Sequence, residues 1–327
     1  MANYKNIKGF NIQYLDSDPP NPIEGQMWFN STTQTLKGAE AGGVSDGTWA
    51  SGGSLNTARG QVAGDGTVDA AYAVCGDGST AVVGNFEHYN GSTWTETTDV
   101  NTARRNAGTF GTQTSALVFN GQSPPVTGVC EQWNGTSWTE VAEMNTVRIG
   151  ISSTAAGVSG TSGIQGGGYA FPNPPTGNTE TWNGTSWTEV NNMNTAREAH
   201  GQCGIQTAAI TAGGSGYSNA VEQWDGTNWT EVGEVNTGRE QASLSGSSTA
   251  SLFVAGYTGS YSALAEAWNG TSWTELNDLA TARGSGARAG SSNTSALMAG
   301  GYISGGKSTA TEEFSIPPIA IKTFTTS

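Results

Sequence analysis

Histidine is almost missing from this chain: His88 and His200 are the only two in 327 residues. A metal centre built on imidazoles is therefore nearly excluded. Basic residues are scarce too, 13 Lys and Arg against 27 Asp and Glu, for a net charge of −14. Six of the eight arginines occupy one repeated position, so no basic stripe exists to neutralise a phosphate backbone. Neither nucleic acid nor an anionic membrane surface is expected as a partner. Cysteine is limited to Cys75, Cys130 and Cys203, an odd number without a CxxC or Cys/His cluster. Buried reduced thiols acting as small hydrophobes are expected. No run of about 18 apolar residues occurs to span a bilayer, and the opening MANYKNIKGFNIQ lacks the apolar core of a signal peptide. The expectation is a protein neither inserted in a membrane nor exported by a cleaved signal.

Glycine and tryptophan are what the chain has in quantity, 48 and 11 residues. Disordered segments are poor in aromatics and bury too little apolar surface to offset chain entropy, so the composition reads as polar, Gly-rich and all-β. The tryptophans are periodic. WNGTSW stands at 133–138, 182–187 and 268–273, with WDGTNW at 224–229 and YNGSTW at 89–94. Trp49, Trp94, Trp138, Trp187, Trp229 and Trp273 are spaced by 45, 44, 49, 42 and 44 residues, in the range of roughly 40–50 that marks propeller repeats. Seven residues after each comes Asn56, Asn101, Asn145, Asn194, Asn236 or Ala280, and then Arg59, Arg104, Arg148, Arg197, Arg239 or Arg283.

Each of the six units reads as four short strands. A small-residue strand A such as HGQCGIQ is followed by an apolar strand B ending in Gly, such as SALVFNG. A Gly/Pro-rich loop leads to strand C, VEQW or CEQW, and a tight turn to strand D, SWTEV. Asn-Gly between alternating runs is a strong hairpin signal, both residues being expected to take the positive φ of such a turn. The aromatics flanking it are expected to pack between neighbouring blades. The last unit lacks a Trp-bearing strand D, and DGTWAS around Trp49 lacks strands A to C before it. The Trp49 strand is therefore expected to complete the last blade, with the tail Ile319–Phe324 as the rival.

These units resemble the kelch repeat, in an apolar strand ending in Gly-Gly (Gly213 and Gly214, Gly300 and Gly301), an aromatic several residues before a Trp, and a short stretch leading to Arg. The resemblance covers about residues 46–315 and implies an all-β, six-bladed, kelch-like β-propeller. It departs from the pattern at Asn120-Gly121 and Ala255-Gly256. Residues 1–45 differ in character: PxxGxxWxN at 22–30, then TxxLK at 33–37, resembles short attachment modules of bacteriophage tail-fibre and other virion proteins. That resemblance implies a small β-hairpin attachment segment carrying Trp28, Phe29 and Leu36, often followed by a GxxW strand for which GTW at 47–49 is a second use. Residues 316–327 are left as a C-terminal tail.

Several motifs point to chemistry and are weighed against plainer readings. GYISGGKS at 301–308 matches GxxxxGK[ST], but a phosphate loop needs a following helix, and TATEEF reads as a strand. Galactose-oxidase-like enzymes share the kelch architecture, yet their copper site takes two His and a Tyr cross-linked to Cys, and His88 and His200 fall in different strands of different units. Most Glu recur in register, as scaffold residues do. The six repeated arginines, Arg59 to Arg283, either form a ring of cations or begin strand A and bond carbonyls or a Glu of an adjacent blade; the second is expected. No catalytic residue, metal or cofactor is expected. The B–C loops vary while the C–D turn stays constant, which marks the B–C face as the binding face. Tyr169, Phe171, Tyr217, Tyr257, Tyr261 and Tyr302 would supply aromatic faces there for carbohydrate stacking or protein contact.

The expectation is a non-enzymatic, virion-associated propeller, in a tail fibre, head fibre or decoration protein. It would be held by other virion proteins through residues 1–45 and present its loops to a host-surface glycan or protein. A cellular kelch-type interaction module is the alternative, and a propeller enzyme acting on glycans a further one.

Overall fold

The computed structural model describes residues 12–23, 25–40, 46–150, 156–170, 172, 174–316 and 320–324. All regular structure among them is β-strand. The chain divides into two compact units, Met1–Thr48 with Ile316–Ser327, and Trp49–Ser315.

The larger unit repeats one four-stranded antiparallel sheet, with strands paired in the order A-B-C-D. The first sheet is Ala63–Thr67, Ala70–Asp77, Val82–Tyr89 and Trp94–Glu96, and the second Gly108–Thr112, Ser115–Phe119, Cys130–Trp133 and Trp138–Val141. The third is Ala156–Ser159, Ser162–Gly166, Thr179–Trp182 and Trp187–Val190, and the fourth Gly201–Ile205, Ala208–Ala212, Val221–Trp224 and Trp229–Glu231. The fifth is Ser243–Ser247, Ala250–Val254, Ala265–Trp268 and Trp273–Leu276. In the sixth, Ala287–Ser292, Ser295–Ala299 and Thr311–Ser315 are joined at the D edge by Thr48–Gly52, so the Trp49 strand completes the last sheet. Strand A of each sheet touches strand A of the next, and the sixth touches the first. This is the architecture of a β-propeller.

Burial follows strand order. Strands B are buried along nearly their whole length, as in SALVF and ASLFV, and read as continuous apolar runs. Strands D are mostly exposed, with only the Trp buried in WTEV. Polar outer edges of this kind discourage edge-to-edge pairing. The hydrophobic clusters lie between sheets: Val74 and Phe86 pack with Val118 and Trp138, and Ile210 and Val221 with Leu244 and Phe253. The D-strand indoles bridge the same seams, Trp138 Nε1 donating to Thr98 O at 2.9 Å and Trp94 Nε1 to Thr311 Oγ1 at 2.9 Å. All three cysteines are free and buried, and burial pushes the thiols up, Cys75 to about 11 and Cys130 and Cys203 to about 12.

The Asn-Gly turn differs from expectation. Trp133 pairs with Trp138 across a four-residue loop, and only the glycine, Gly135 at φ 93, adopts positive φ. The asparagine works through its side chain: Asn134 Oδ1 accepts from Thr136 N and Ser137 N, each at 2.9 Å. Asn183 and Asn269 do the same, and Asp225 replaces them without loss because only the oxygen is needed.

In the smaller unit, Met27–Asn30 and Thr35–Glu40 form the expected hairpin, with Gln13–Leu15 parallel to the first strand. Ala320–Phe324 pairs antiparallel with Thr35–Glu40. The tail is thus the fourth strand of this sheet and does not serve the last propeller sheet, while GTW is not part of the hairpin module. Asp18 organises the unit, accepting from Lys37 Nζ at 2.6 Å, Asn30 Nδ2 at 2.8 Å and Trp28 Nε1 at 2.9 Å. These bonds, Lys37 foremost, hold its carboxyl at about 2. Trp28 and Leu36 are buried, so these two attachment candidates serve the unit's interior and do not face a partner; Phe29 is half-buried beneath Tyr14, ring centroids 5.0 Å apart. Among the described residues, the exposed large apolar side chains of this unit are Tyr14, Ile23, Ile321 and Phe324.

Candidate functional site

The repeated Asn and Arg converge on one carboxylate. Each arginine is buried against the strand-C Glu of the sheet it leads into: Arg59 with Glu87 at 2.8 Å, Arg104 with Glu131 at 2.9 Å, and Arg148 with Glu180 at 2.5 Å. Arg197 with Glu222, Arg239 with Glu266 and Arg283 with Glu312 continue the series at 2.5, 2.5 and 2.6 Å. The partner is in the same sheet, not an adjacent one. The other Glu oxygen accepts the backbone N–H seven residues after the D-strand Trp, as Asn56 N does to Glu87 at 2.7 Å. Ala280 N makes that bond to Glu312 at 2.6 Å, which is why the motif tolerates Ala there. The guanidiniums also donate to carbonyls, such as Arg59 to Asn85 O at 2.8 Å and Arg197 to Ala220 O at 2.7 Å. These clips fix the loop entering strand A; none presents a cation to solvent. The second Glu series, such as Glu140 opposite Glu131, is exposed on strand D.

Two residues past each arginine the backbone turns left-handed, at Gln61, Asn106, Gly150, Ala199, Gln241 and Ser285, with φ of 50 to 69°. This turn aims N–H groups across the seams, Ala199 to Gly150 O at 2.9 Å, Gln241 to Ala199 O at 2.7 Å and Ser285 to Gln241 O at 2.9 Å. A second set of staples runs from a glycine at or just past the end of strand B to the next arginine's carbonyl, Gly76 to Arg104 at 2.8 Å and, across the closing seam, Gly301 to Arg59 at 3.0 Å. Short bridges such as Glu240 with Tyr257 and Gly284 with Tyr302 put the D–A and B–C loops on one face.

On that face the tyrosines form a row. Tyr217, 46% exposed, lies 6.2 Å from Tyr257, and Tyr257 meets Tyr261 edge-on at 5.5 Å. Tyr261 sits over Gly284, where a Cβ would come within 3.3 Å of its ring, and Tyr302 over Gly60, where a Cβ would come within 2.6 Å. Three successive B–C loops thus supply one aromatic surface, with glycine beneath two of its rings, where a side chain would crowd Tyr261 and clash with Tyr302. Tyr169 is half-buried and paired to Ile149, apart from the row, and Phe171 lies outside the described residues.

The row ends in charge. Tyr302 Oη donates to Asp77 Oδ2 at 2.5 Å, Lys307 Nζ lies 2.8 Å from the same oxygen, and Arg105 Nη1 is 3.7 Å from Oδ1. Partial burial opposes ionisation of Asp77, but Lys307, Tyr302 and Arg105 outweigh it and hold the carboxyl below its usual range. Burial and the Asp77 carboxylate push the Tyr302 phenol up. Further along, burial and neighbouring Glu240 raise Glu198. GYISGGKS is a small hairpin, Tyr302–Ile303 against Gly306–Lys307, whose lysine is spent on Asp77 and Gly78 O. No helix follows it. His88 sits in the first sheet and His200 just before the fourth, and no group of three or more His, Cys, Asp or Glu among the described residues is arranged to hold a metal.

Sequence reasoning found the tyrosines but missed Asp77, Arg105, Glu198 and Glu240. A signal existed: the residue after the repeated arginine reads Gly60, Arg105, Ile149, Glu198, Glu240 and Gly284, a varied position that carries charge, directly beside a constant one.

No family model and no curated protein sequence matches the chain. Among solved structures it is similar to YjhT, of kelch-like β-propeller fold, with a TM-score of 0.67 over 83% of this chain and 99% of that one, at 16% identity. At that identity the likeness concerns the fold alone.

Proposed function

We propose that the chain is a non-enzymatic, six-bladed, kelch-like propeller carried on a phage particle, which binds a host-surface glycan through the tyrosine row. Six four-stranded sheets, the cyclic contact of their A strands and the Gly301 to Arg59 bond support the blade number. The observation that carries the binding reading is the row itself, Tyr217, Tyr257, Tyr261 and Tyr302 on consecutive loops. Sugar C–H faces stack on aromatic rings, and the phenols and the Asp77, Lys307 and Arg105 group at its end offer donors and acceptors for hydroxyls. The repeated strand-C carboxylates are consumed by scaffold ion pairs, which fits binding better than catalysis.

The smaller unit is the virion attachment element in this reading. Among the described residues the exposed large apolar side chains of this unit are Tyr14, Ile23, Ile321 and Phe324, and the register puts Tyr14 and Phe324 on one sheet face, a contact surface that buried Trp28 and Leu36 do not offer. The test is a glycan array probed with the full chain and with Tyr257→Ala. Binding to a defined glycan class, weakened at least tenfold by Tyr257→Ala, is expected. Absence of binding across the array, or binding indifferent to Tyr257, overturns the reading.

A further inference from the structure

The A strands of all six sheets end, on the side of the A–B turns, around a cavity of about 280 Å3. Its wall is largely backbone. Gly66, Gly111, Gly204, Gly246 and Gly290 hold φ between 105 and 132° there. A Cβ on any of them would fall within 2.5 Å of the carbonyl oxygen of the first strand-B residue. The repeat keeps side chains off this wall, and Thr67, Thr112, Ser247 and Ser291 add hydroxyl-bearing residues to the lining.

Two departures break the repeat. On the sixth and first sheets, Arg288 Nη1 lies 3.3 Å from Asp65 Oδ1, and Asp65 Oδ2 accepts the N–H of Gly111 at 3.2 Å. The register places Phe110, Cys203, Ser245 and Ala289 in the slot of Asp65, and Thr109, Gln202 and Leu244 in that of Arg288. The scaffold does not need charge in either slot. On the third and fourth sheets, across the ring of A strands, Val158 and Ile205 are 62% and 41% exposed at the rim. Apolar side chains are left bare on one wall, facing a donor and an acceptor side by side on the other.

The chemistry of the occupant follows. An anion drawn to Arg288 meets Asp65 at the same point, and a cation drawn to Asp65 meets Arg288, so ions of either sign are disfavoured. A neutral molecule with adjacent hydroxyls matches both, one donating to the carboxylate and its neighbour accepting from the guanidinium, beside the bonds these groups already make. The opposite wall is aliphatic, which suits a C–H face or a methyl group. The volume lies just below the range of small-molecule pockets, which starts at about 300 Å3, and suits a ligand of one ring.

We propose that this mouth is a second binding site, for a neutral sugar of about one ring, separate from the tyrosine row. The probes are methyl α-D-glucopyranoside, methyl α-D-mannopyranoside and methyl β-D-galactopyranoside, read by saturation-transfer NMR on the full chain. At least one should receive saturation. The signal should fall at least tenfold with Ile205→Trp, which fills the rim from an exposed position, and with the charge-neutral pair Asp65→Asn with Arg288→Gln. All of these readings are made in the Tyr257→Ala background, which removes stacking on the tyrosine row; the signal should persist there, so this site and the row fail independently. Gluconate and glucosamine, the charged controls, should bind at least tenfold more weakly. If the double variant does not fold, Ile205→Trp decides. The proposal is overturned if no glycoside receives saturation, if Ile205→Trp leaves the signal intact, if Tyr257→Ala abolishes it, or if a charged control binds best.

Discussion

The ring of Trp49 lies 5.1 Å from that of Phe314, so an aromatic near the start of the larger unit packs on one at its very end. Trp49 also donates its indole N–H to Asn277 O at 2.9 Å, in the loop leaving the fifth sheet. One residue from the start of the unit thereby ties the last two sheets together. Because Trp49 is only half-buried, Trp49→Ala should cost about 2–3 kcal/mol, at or below the low end of the range for truncating a fully buried aromatic. Urea denaturation measures it, and a loss under about 0.5 kcal/mol would mean that the closing strand is ornamental.

The Arg–Glu clips make a second prediction. Glu131→Gln leaves the Arg104 guanidinium buried without its counter-charge and weakens the acceptor of Asn101 N and Thr102 N. A loss of about 3–5 kcal/mol is expected, as for other broken buried pairs. Replacing both partners, Arg104→Met with Glu131→Leu, should recover part of it but not all, since the two backbone donors stay orphaned. Chemical denaturation of the three proteins provides the comparison.

The turn chemistry is open to a sharper substitution. In a two-residue Asn-Gly turn, Asn183→Gly would be tolerated, because glycine takes positive φ at least as well. Here Asn183 instead supplies an oxygen to Thr185 N and Ser186 N. Asn183→Gly should therefore destabilise by about 1 kcal/mol and Asn183→Asp should not.

The legibility of the chain depended on repetition. Trp, Asn, Arg and Glu recur because each repeat solves the same local problem, so their spacing showed the sheets and the strand that completes the last one. The partner of each Arg was not readable, since strand C of its own sheet and that of a neighbour are both plausible neighbours in sequence terms. Pairing of Ala320–Phe324 with Thr35–Glu40 was missed because it joins the two ends of the chain and leaves no local signal. Asp77 and Lys307 are brought together from the first and last sheets by closure of the ring. The Asp65 and Arg288 pair is hidden for the same reason.

Acid should expose a buried histidine. His200 is driven from 6.5 down to about 3, first by burial and then by the charges of Arg197 and Arg148, against the pull of its bond to Gly166 O. Between about pH 6.5 and 3 the unfolded chain holds a proton that the folded chain does not, so stability falls as pH drops through this window. His200→Gln removes that component. Its stability should decline less steeply between pH 7 and pH 4, by the equivalent of about one proton, in urea titrations at both values. Identical slopes would contradict the assignment.

The central claim is that this propeller rides on a virus particle, and electron cryo-microscopy of purified particles from the sample that encodes it addresses that claim most directly. The account predicts a six-sheet body of this sequence on the virion, with the unit carrying Tyr14, Ile23, Ile321 and Phe324 in contact with a neighbouring virion protein and the tyrosine row open to solvent. Particles devoid of this density, from cells that make the chain, would contradict it.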